Sequence, residues 1–125
     1  QREAFGSPIG EYQAVQWMLA DSATELAAAR ALLYQTVDAM QAGIDPKIAH
    51  GQAAMVKLFA SEMVGRVADR AVQVLGGRGY MREQAIERLW RDTRIDRIWE
   101  GTSEMQRLIV ARALERRGLD ALLDA

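Results

Sequence analysis

The chain has 125 residues, 50% of them hydrophobic and 26% charged, with a net charge of −1. That composition excludes intrinsic disorder, and the length holds one core but not two. Acidic and basic residues are interleaved, so no basic stripe exists for nucleic acid, and no stretch approaches the roughly 18 apolar residues of a membrane span. With no cysteine and a single histidine, neither a disulfide framework nor an all-protein zinc site is expected, and no metal is assigned.

Gln1 is not an initiator methionine, and Arg2-Glu3-Ala4-Phe5-Gly6 reads like an element entered midway. A piece of a longer polypeptide is therefore the expectation. Alanine, leucine, methionine, arginine and glutamate dominate the long segments, and only two prolines occur, so propensity favours helix nearly throughout. Over residues 11–42, Val15, Leu19, Ala23, Leu26, Leu33, Val37 and Met40 recur mostly at steps of three and four, which predicts one long amphipathic helix. Gly43-Ile44-Asp45-Pro46 then supplies a helix-ending glycine, an N-cap aspartate and a proline suited to a first turn. A second helix over residues 46–75 carries Ile48, Met55, Phe59, Met63, Val67 and Val74, and the short connection folds it back antiparallel on the first.

Three glycines in Gly76-Gly77-Arg78-Gly79-Tyr80 impose a turn. A third helix is expected over residues 83–98, with Ile86, Leu89 and Ile95 apolar. A fourth, over residues 103–116, is capped by Thr102 or Ser103 and ended by Gly118. Together these predict a single all-α domain over residues 1–125, an up-and-down four-helix bundle that can share helices with a partner chain. Trp17 and Trp90 are expected to be buried or at an interface, the methionines to pack the core, and His50 to lie on the surface. Arg88, Arg91, Arg94 and Arg97, alternating with Glu87, Asp92 and Asp96, read as a salt-bridged helix or a subunit interface.

A helical bundle hosts many unrelated activities, so function has to come from a site. By composition alone Glu100 is a solvated loop carboxylate beside a helix N-terminus. The run from Arg91 to Arg107, centred on Ile98-Trp99-Glu100-Gly101-Thr102-Ser103, resembles the signature near the end of acyl-CoA dehydrogenases. Arg2-Glu3-Ala4-Phe5-Gly6, Glu11-Tyr12-Gln13-Ala14-Val15-Gln16 and Ala71-Val72-Gln73-Val74-Leu75-Gly76-Gly77-Arg78-Gly79-Tyr80 are similar to that family too, in the same order. The four matches span nearly the whole chain.

The resemblance implies the C-terminal helical domain of an FAD-dependent enzyme that dehydrogenates an acyl-CoA thioester between its α and β carbons. It makes Glu100 the catalytic base, aimed at a weakly acidic proton in a water-poor site. Glu100 and Gly101 then contact the substrate, the Glu100 N–H facing the thioester oxygen. It further implies that Arg2 reaches the FAD pyrophosphate, that Phe5 and Gln13 line the cofactor, and that Gln73, Gly76 and Gly77 approach its adenosine part. In the family these groups serve a neighbouring subunit's FAD, whereas Thr102 and Glu104 lie beside the chain's own. The implied partners are an acyl-CoA, an electron-transfer flavoprotein and further copies of the chain, as a dimer or tetramer. Two rival readings are an acyl-CoA oxidase of the same fold and a non-catalytic helical oligomerisation module. The lack of cysteine and the preference for arginine over lysine make a bacterial cytoplasm the expected location.

Overall fold

The structure, a computed structural model, describes residues 2–123, so Gln1, Asp124 and Ala125 lie outside the described residues. Two long helices, α1 (Gln13–Gln41) and α2 (Pro46–Leu75), form the antiparallel pair that the hydrophobic pattern predicts. Gly43, at φ 85°, ends the first, with the Gly43 and Ile44 amides donating back to Met40 and Ala39 carbonyls at 3.2 Å. Asp45 Oδ1 accepts the Lys47 amide at 2.8 Å and Pro46 fills the first turn of α2.

Small residues bring the two helices together. Ala29, Thr36 and Ala39 of α1 are buried, as are Ala49, Ala54, Met63 and Ala68 of α2. Among the described residues no large side chain is fully buried, so cohesion comes from close backbone approach more than from bulky core residues. Glu25 of α1 ties the pair at mid-length, meeting Arg66 at 3.2 Å and Arg70 at 3.0 Å.

After α2 the chain turns through a 3-10 segment, Gly76–Tyr80, and returns along the same helix. A Cβ on Gly79 would lie 2.8 Å from the Val72 carbonyl oxygen, so the turn needs glycine there. The return limb comprises α3 (Ala85–Asp92), α4 (Ser103–Arg117) and a short α5 (Leu119–Leu123). Its order along α2 is legible from its contacts. Trp90 Nε1 donates to Asp69 at 3.1 Å, Arg97 lies against Gly65, Ser103 donates to Glu62 at 2.7 Å, and Ala113 and Leu122 flank Gly51. Helix α2 is thus the shared spine.

Two local differences from the sequence expectation have physical reasons. The third helix stops at Asp92 and gives way to a 3-10 turn, Ile95–Arg97, instead of continuing to residue 98. No apolar residue extends its stripe between Trp90 and Ile95, and the Thr93 hydroxyl donates back to the Trp90 carbonyl at 3.2 Å. Two short strands, β1 (Glu3–Ala4) and β2 (Ser7–Pro8), form a hairpin that the alternation rule is too coarse to find over so few residues. The turn between them places Phe5 at φ 52° and Gly6 at φ 84°, the positive pair of a two-residue hairpin turn. Finally, Trp17 is 60% exposed and Trp90 38%, so neither is buried within this chain. Along α1, Leu19, Leu26, Leu33 and Met40 are also exposed, one every seventh residue.

Hydrogen bonds from Arg70 and then Arg66 hold the Glu25 carboxyl below its ordinary range. The ion pair therefore stabilises the fold fully at neutral pH, and this contribution fades as pH falls through that depressed value. We expect Glu25→Gln to cost about 1 kcal/mol at pH 7, with the difference from wild type shrinking on acidification; urea unfolding at stepped pH checks both.

Candidate functional site

The predicted site residues fall into two groups at different places on α2. From Lys57 to Gln73 along a helix rising about 1.5 Å per residue is about 24 Å, which is the scale of their separation.

The first group contains Glu100. Between the Ile95–Arg97 turn and α4 the backbone enters the left-handed region twice, at Glu100 (φ 51°) and Gly101 (φ 96°). Glycine adopts that conformation freely, whereas glutamate is strained there, and such strain persists only when surroundings impose it. The restraints are visible. Gln106 Nε2 donates to the carbonyl oxygens of Glu100 at 3.3 Å and Gly101 at 3.2 Å. Lys57 Nζ, reaching across from α2, donates to the Gly101 carbonyl at 2.6 Å. Glycine is favoured at 101 by φ, and a Cβ there would stand 2.6 Å from Gln106 Nε2 and displace that amide from the turn. Thr102, not Ser103, is the N-cap of α4, its hydroxyl accepting the Met105 amide at 3.3 Å.

Ser103 has a different task. Buried to 3% exposure, it donates to Glu62 Oε1, and the same carboxylate faces Arg97 at 3.6 Å and Arg107 at 3.8 Å. This knot fixes the start of α4 on α2. Thr102, Ser103 and Glu104 line a hollow of about 170 Å³ together with Glu62, Arg94, Arg97 and Ile98. The Glu104 carboxyl is held below its ordinary range, first by its own backbone N–H and then by the Thr102 hydroxyl. Glu100 itself is exposed, as are Ile98 and Trp99 beside it. A larger hollow of about 640 Å³ lies elsewhere, between the start of α2 and the end of α4, where Lys47, His50, Arg112 and Arg116 line it. It contains no predicted site residue, and Lys47, Arg112, Arg116 and Arg117 make its walls cationic.

The second group gathers at the other end of α2. Arg2 Nη1 donates to the Val74 carbonyl at 3.2 Å, and its guanidinium lies over Gly76, where a Cβ would collide with it. Gly76 has φ 59°, and Gly77 has open space beyond its backbone. Gln73 is exposed one turn back. The hairpin carries Phe5 outward at 98% exposure, its ring meeting Tyr12 edge-on with centroids 6.5 Å apart. Tyr12 donates to the Ala4 carbonyl at 2.6 Å and anchors the hairpin to the start of α1, where Gln13 is exposed. The fold therefore joins Arg2 to Gly76 and Phe5 to Tyr12, and sets both apart from Glu100, Gly101, Thr102 and Glu104.

Lys57 and Gln106 carry no mark in the motif. Gln106 does leave a trace in the pattern, as a polar residue on the stripe formed with Ile109 and Ala113; it is 6% exposed. Lys57 leaves none. Among the described residues no group of three or more His, Cys, Asp or Glu side chains is arranged to hold a metal ion, and no helix is long and apolar enough to cross a membrane.

A family profile described as "Acyl-CoA dehydrogenase, C-terminal domain" matches residues 1–115. The chain is 40% identical over 114 residues to the caffeyl-CoA reductase-Etf complex subunit CarC of Acetobacterium woodii, covering 91% of this chain and 29% of that protein. It is similar in structure to butyryl-CoA dehydrogenase from Megasphaera elsdenii, with a TM-score of 0.87 and 38% identity over 93% of this chain and 30% of that one. An FAD complex of PigA is similar with a TM-score of 0.85 and 32% identity, covering 94% of this chain and 30% of that one. The chain thus spans under a third of the length of these relatives. Fold, ordered motifs and profile agree, and the chain belongs to the acyl-CoA dehydrogenase family, as its C-terminal helical domain.

Proposed function

We propose that this chain is the C-terminal domain of an FAD-dependent acyl-CoA dehydrogenase, and that Glu100 is the base that removes the substrate α-proton. The observation that carries the reading is the strained Glu100–Gly101 turn: a non-glycine residue held at φ 51° on an exposed loop by bonds to both of its carbonyls. Backbone strain of this kind serves positioning. In the reaction the α C–H bond breaks, its proton goes to a Glu100 carboxylate oxygen, and the electron pair forms the new double bond as the β-hydrogen departs with its own pair. FAD, when bound, accepts that hydride. The Glu100 N–H is free to donate to the thioester oxygen, where negative charge gathers as the proton leaves. In the reductive direction, which the name of the Acetobacterium woodii relative suggests, protonated Glu100 returns the proton to the α-carbon.

The residues of the second group fit an FAD diphosphate. The Arg2 guanidinium offers paired donors beside glycine backbone with no Cβ in the way, and Phe5 presents an exposed ring steadied at its edge by Tyr12. Separation from Glu100 along α2 supports the arrangement in which Arg2, Phe5, Gln13, Gln73, Gly76 and Gly77 serve a neighbouring subunit's FAD while Thr102 and Glu104 serve the chain's own. The exposed row Leu19, Leu26, Leu33 and Met40 supplies an apolar face for that assembly. An electron-transfer flavoprotein as electron acceptor is supported by the Etf complex named for the same relative.

The deciding experiment is anaerobic bleaching of the flavin by a panel of acyl-CoAs, using the FAD-loaded enzyme that carries this domain. Glu100→Gln is expected to slow bleaching roughly 100- to 10,000-fold while leaving FAD bound; bleaching at the wild-type rate would falsify the base assignment. Oxygen uptake by the reduced enzyme separates a dehydrogenase from an oxidase. For the assembly, Leu26→Glu combined with Leu33→Glu is expected to yield a smaller species by light scattering, and an unchanged mass rules this face out as the contact.

A further inference from the structure

We propose that Lys57 and Gln106 form a carbonyl clamp that positions the Glu100 carboxylate for proton transfer; the inference rests on Glu100 being the base. Unaided, the turn would not keep this shape. Glu100 in the left-handed region is disfavoured by its Cβ, and consecutive left-handed residues bring no helical hydrogen bonds to offset this. A free loop would relax toward the right-handed or extended regions and swing the carboxylate out of line.

Two helices prevent that swing. Gln106, rigid in the second turn of α4 and 6% exposed, bonds both carbonyls of the turn with one amide nitrogen. Lys57, on α2, bonds the second carbonyl from the other side at 2.6 Å. The Lys57 ammonium is aimed at a neutral acceptor inside a half-buried crevice, a charge-assisted bond stronger than an ordinary amide one. Gln106 likewise turns a buried amide group onto backbone, where an apolar side chain would pack the same stripe without needing a partner. Because Ser103 and Glu62 lock the start of α4 to α2, the two donors hold a fixed separation and the turn is gripped rather than merely touched. The clamp leaves the Glu100 side chain and N–H unengaged, which is what a base that must meet a substrate requires.

Lys57 and Gln106 touch neither substrate nor cofactor in this arrangement; they are positioning residues. Removing either donor is expected to slow the proton-transfer step about 10- to 100-fold, the scale of a misplacement near 1 Å. The test uses Lys57→Met, Gln106→Met and Lys57→Arg in the FAD-loaded enzyme, each alone and combined with Glu100→Gln. The bleaching rate at saturating acyl-CoA should fall in both Met variants, with FAD content and the half-saturating acyl-CoA concentration little changed. Lys57→Arg, which retains a cationic donor, should recover most of the rate. Amide hydrogen exchange across residues 99–103 should accelerate in both Met variants, a readout independent of turnover. Added to Glu100→Gln, the clamp substitutions should cost nothing further, because they act through that carboxylate.

Wild-type bleaching and unchanged exchange in the two Met variants, beside a slow Glu100→Gln, overturn the clamp alone. Losses that multiply with Glu100→Gln, or that track loss of FAD, also overturn it, since they mark a general structural role. Wild-type bleaching by Glu100→Gln itself overturns the base assignment and the clamp with it.

Discussion

Everything in this domain depends on how closely other segments can approach helix α2. Its inward surface is made of small residues, and where a neighbour comes closest the residue is glycine. A Cβ on Gly51 would sit 2.9 Å from Leu122 and 3.0 Å from Ala113, and one on Gly65 would stand 3.4 Å from the Arg97 guanidinium. Alanines bury little apolar area each, so such an interface gains through dispersion at short range more than through hydrophobic transfer. It also sets few side-chain knobs to define register. Polar ties supply that instead: Gln52 to the Leu122 carbonyl at 3.0 Å, Ser103 to Glu62, Lys57 to the Gly101 carbonyl, and Glu25 to its two arginines. A buried hydrogen bond adds modestly to stability, but losing one partner is expensive, which penalises any slipped register. Register is the property that an active-site loop spanning two helices needs.

The same economy leaves the domain unfinished as a surface. Leucines recur unpartnered on α1, and Ile98 and Trp99 stand exposed beside Glu100. Proton abstraction next to a thioester requires exclusion of water. Under the proposed function, this chain supplies the carboxylate and its aim but not the walls, and it spans less than a third of each relative's length. On that reading, exclusion of water requires a cover over Trp99 and Ile98, both exposed in this chain.

How far the fold and site could be read from sequence depended on what kind of force was acting. Periodicity located α1 and α2 because a long amphipathic stripe is a repeated signal, and Gly43 with Asp45-Pro46 placed the break because caps have fixed chemistry. It overextended α3, where a single hydroxyl and a gap in the stripe decide the end. The hairpin escaped notice, since Phe5 at positive φ is not what its residue type favours. Glu100 and its neighbours were visible through resemblance rather than through pattern. Of the two donors that hold them, Gln106 lies inside the resembling run, where its task does not show, and Lys57 lies more than forty residues away in sequence; a contact to backbone carbonyl depends on helix register that no local pattern encodes.

The two groups of site residues, finally, are both tied to one helix, α2. Under the proposed function, one part of α2 presents Gln73 to Gly77 to a neighbour's cofactor while Lys57 on the same helix steadies the chain's own base. The 30-residue helix runs unbroken past both groups, with α1 on one side and the return limb on the other. The exposed face of α1, antiparallel to α2 and tied to it at Glu25, lies beside the same span. Assembly, cofactor contact and base alignment are then three loads on one helix pair.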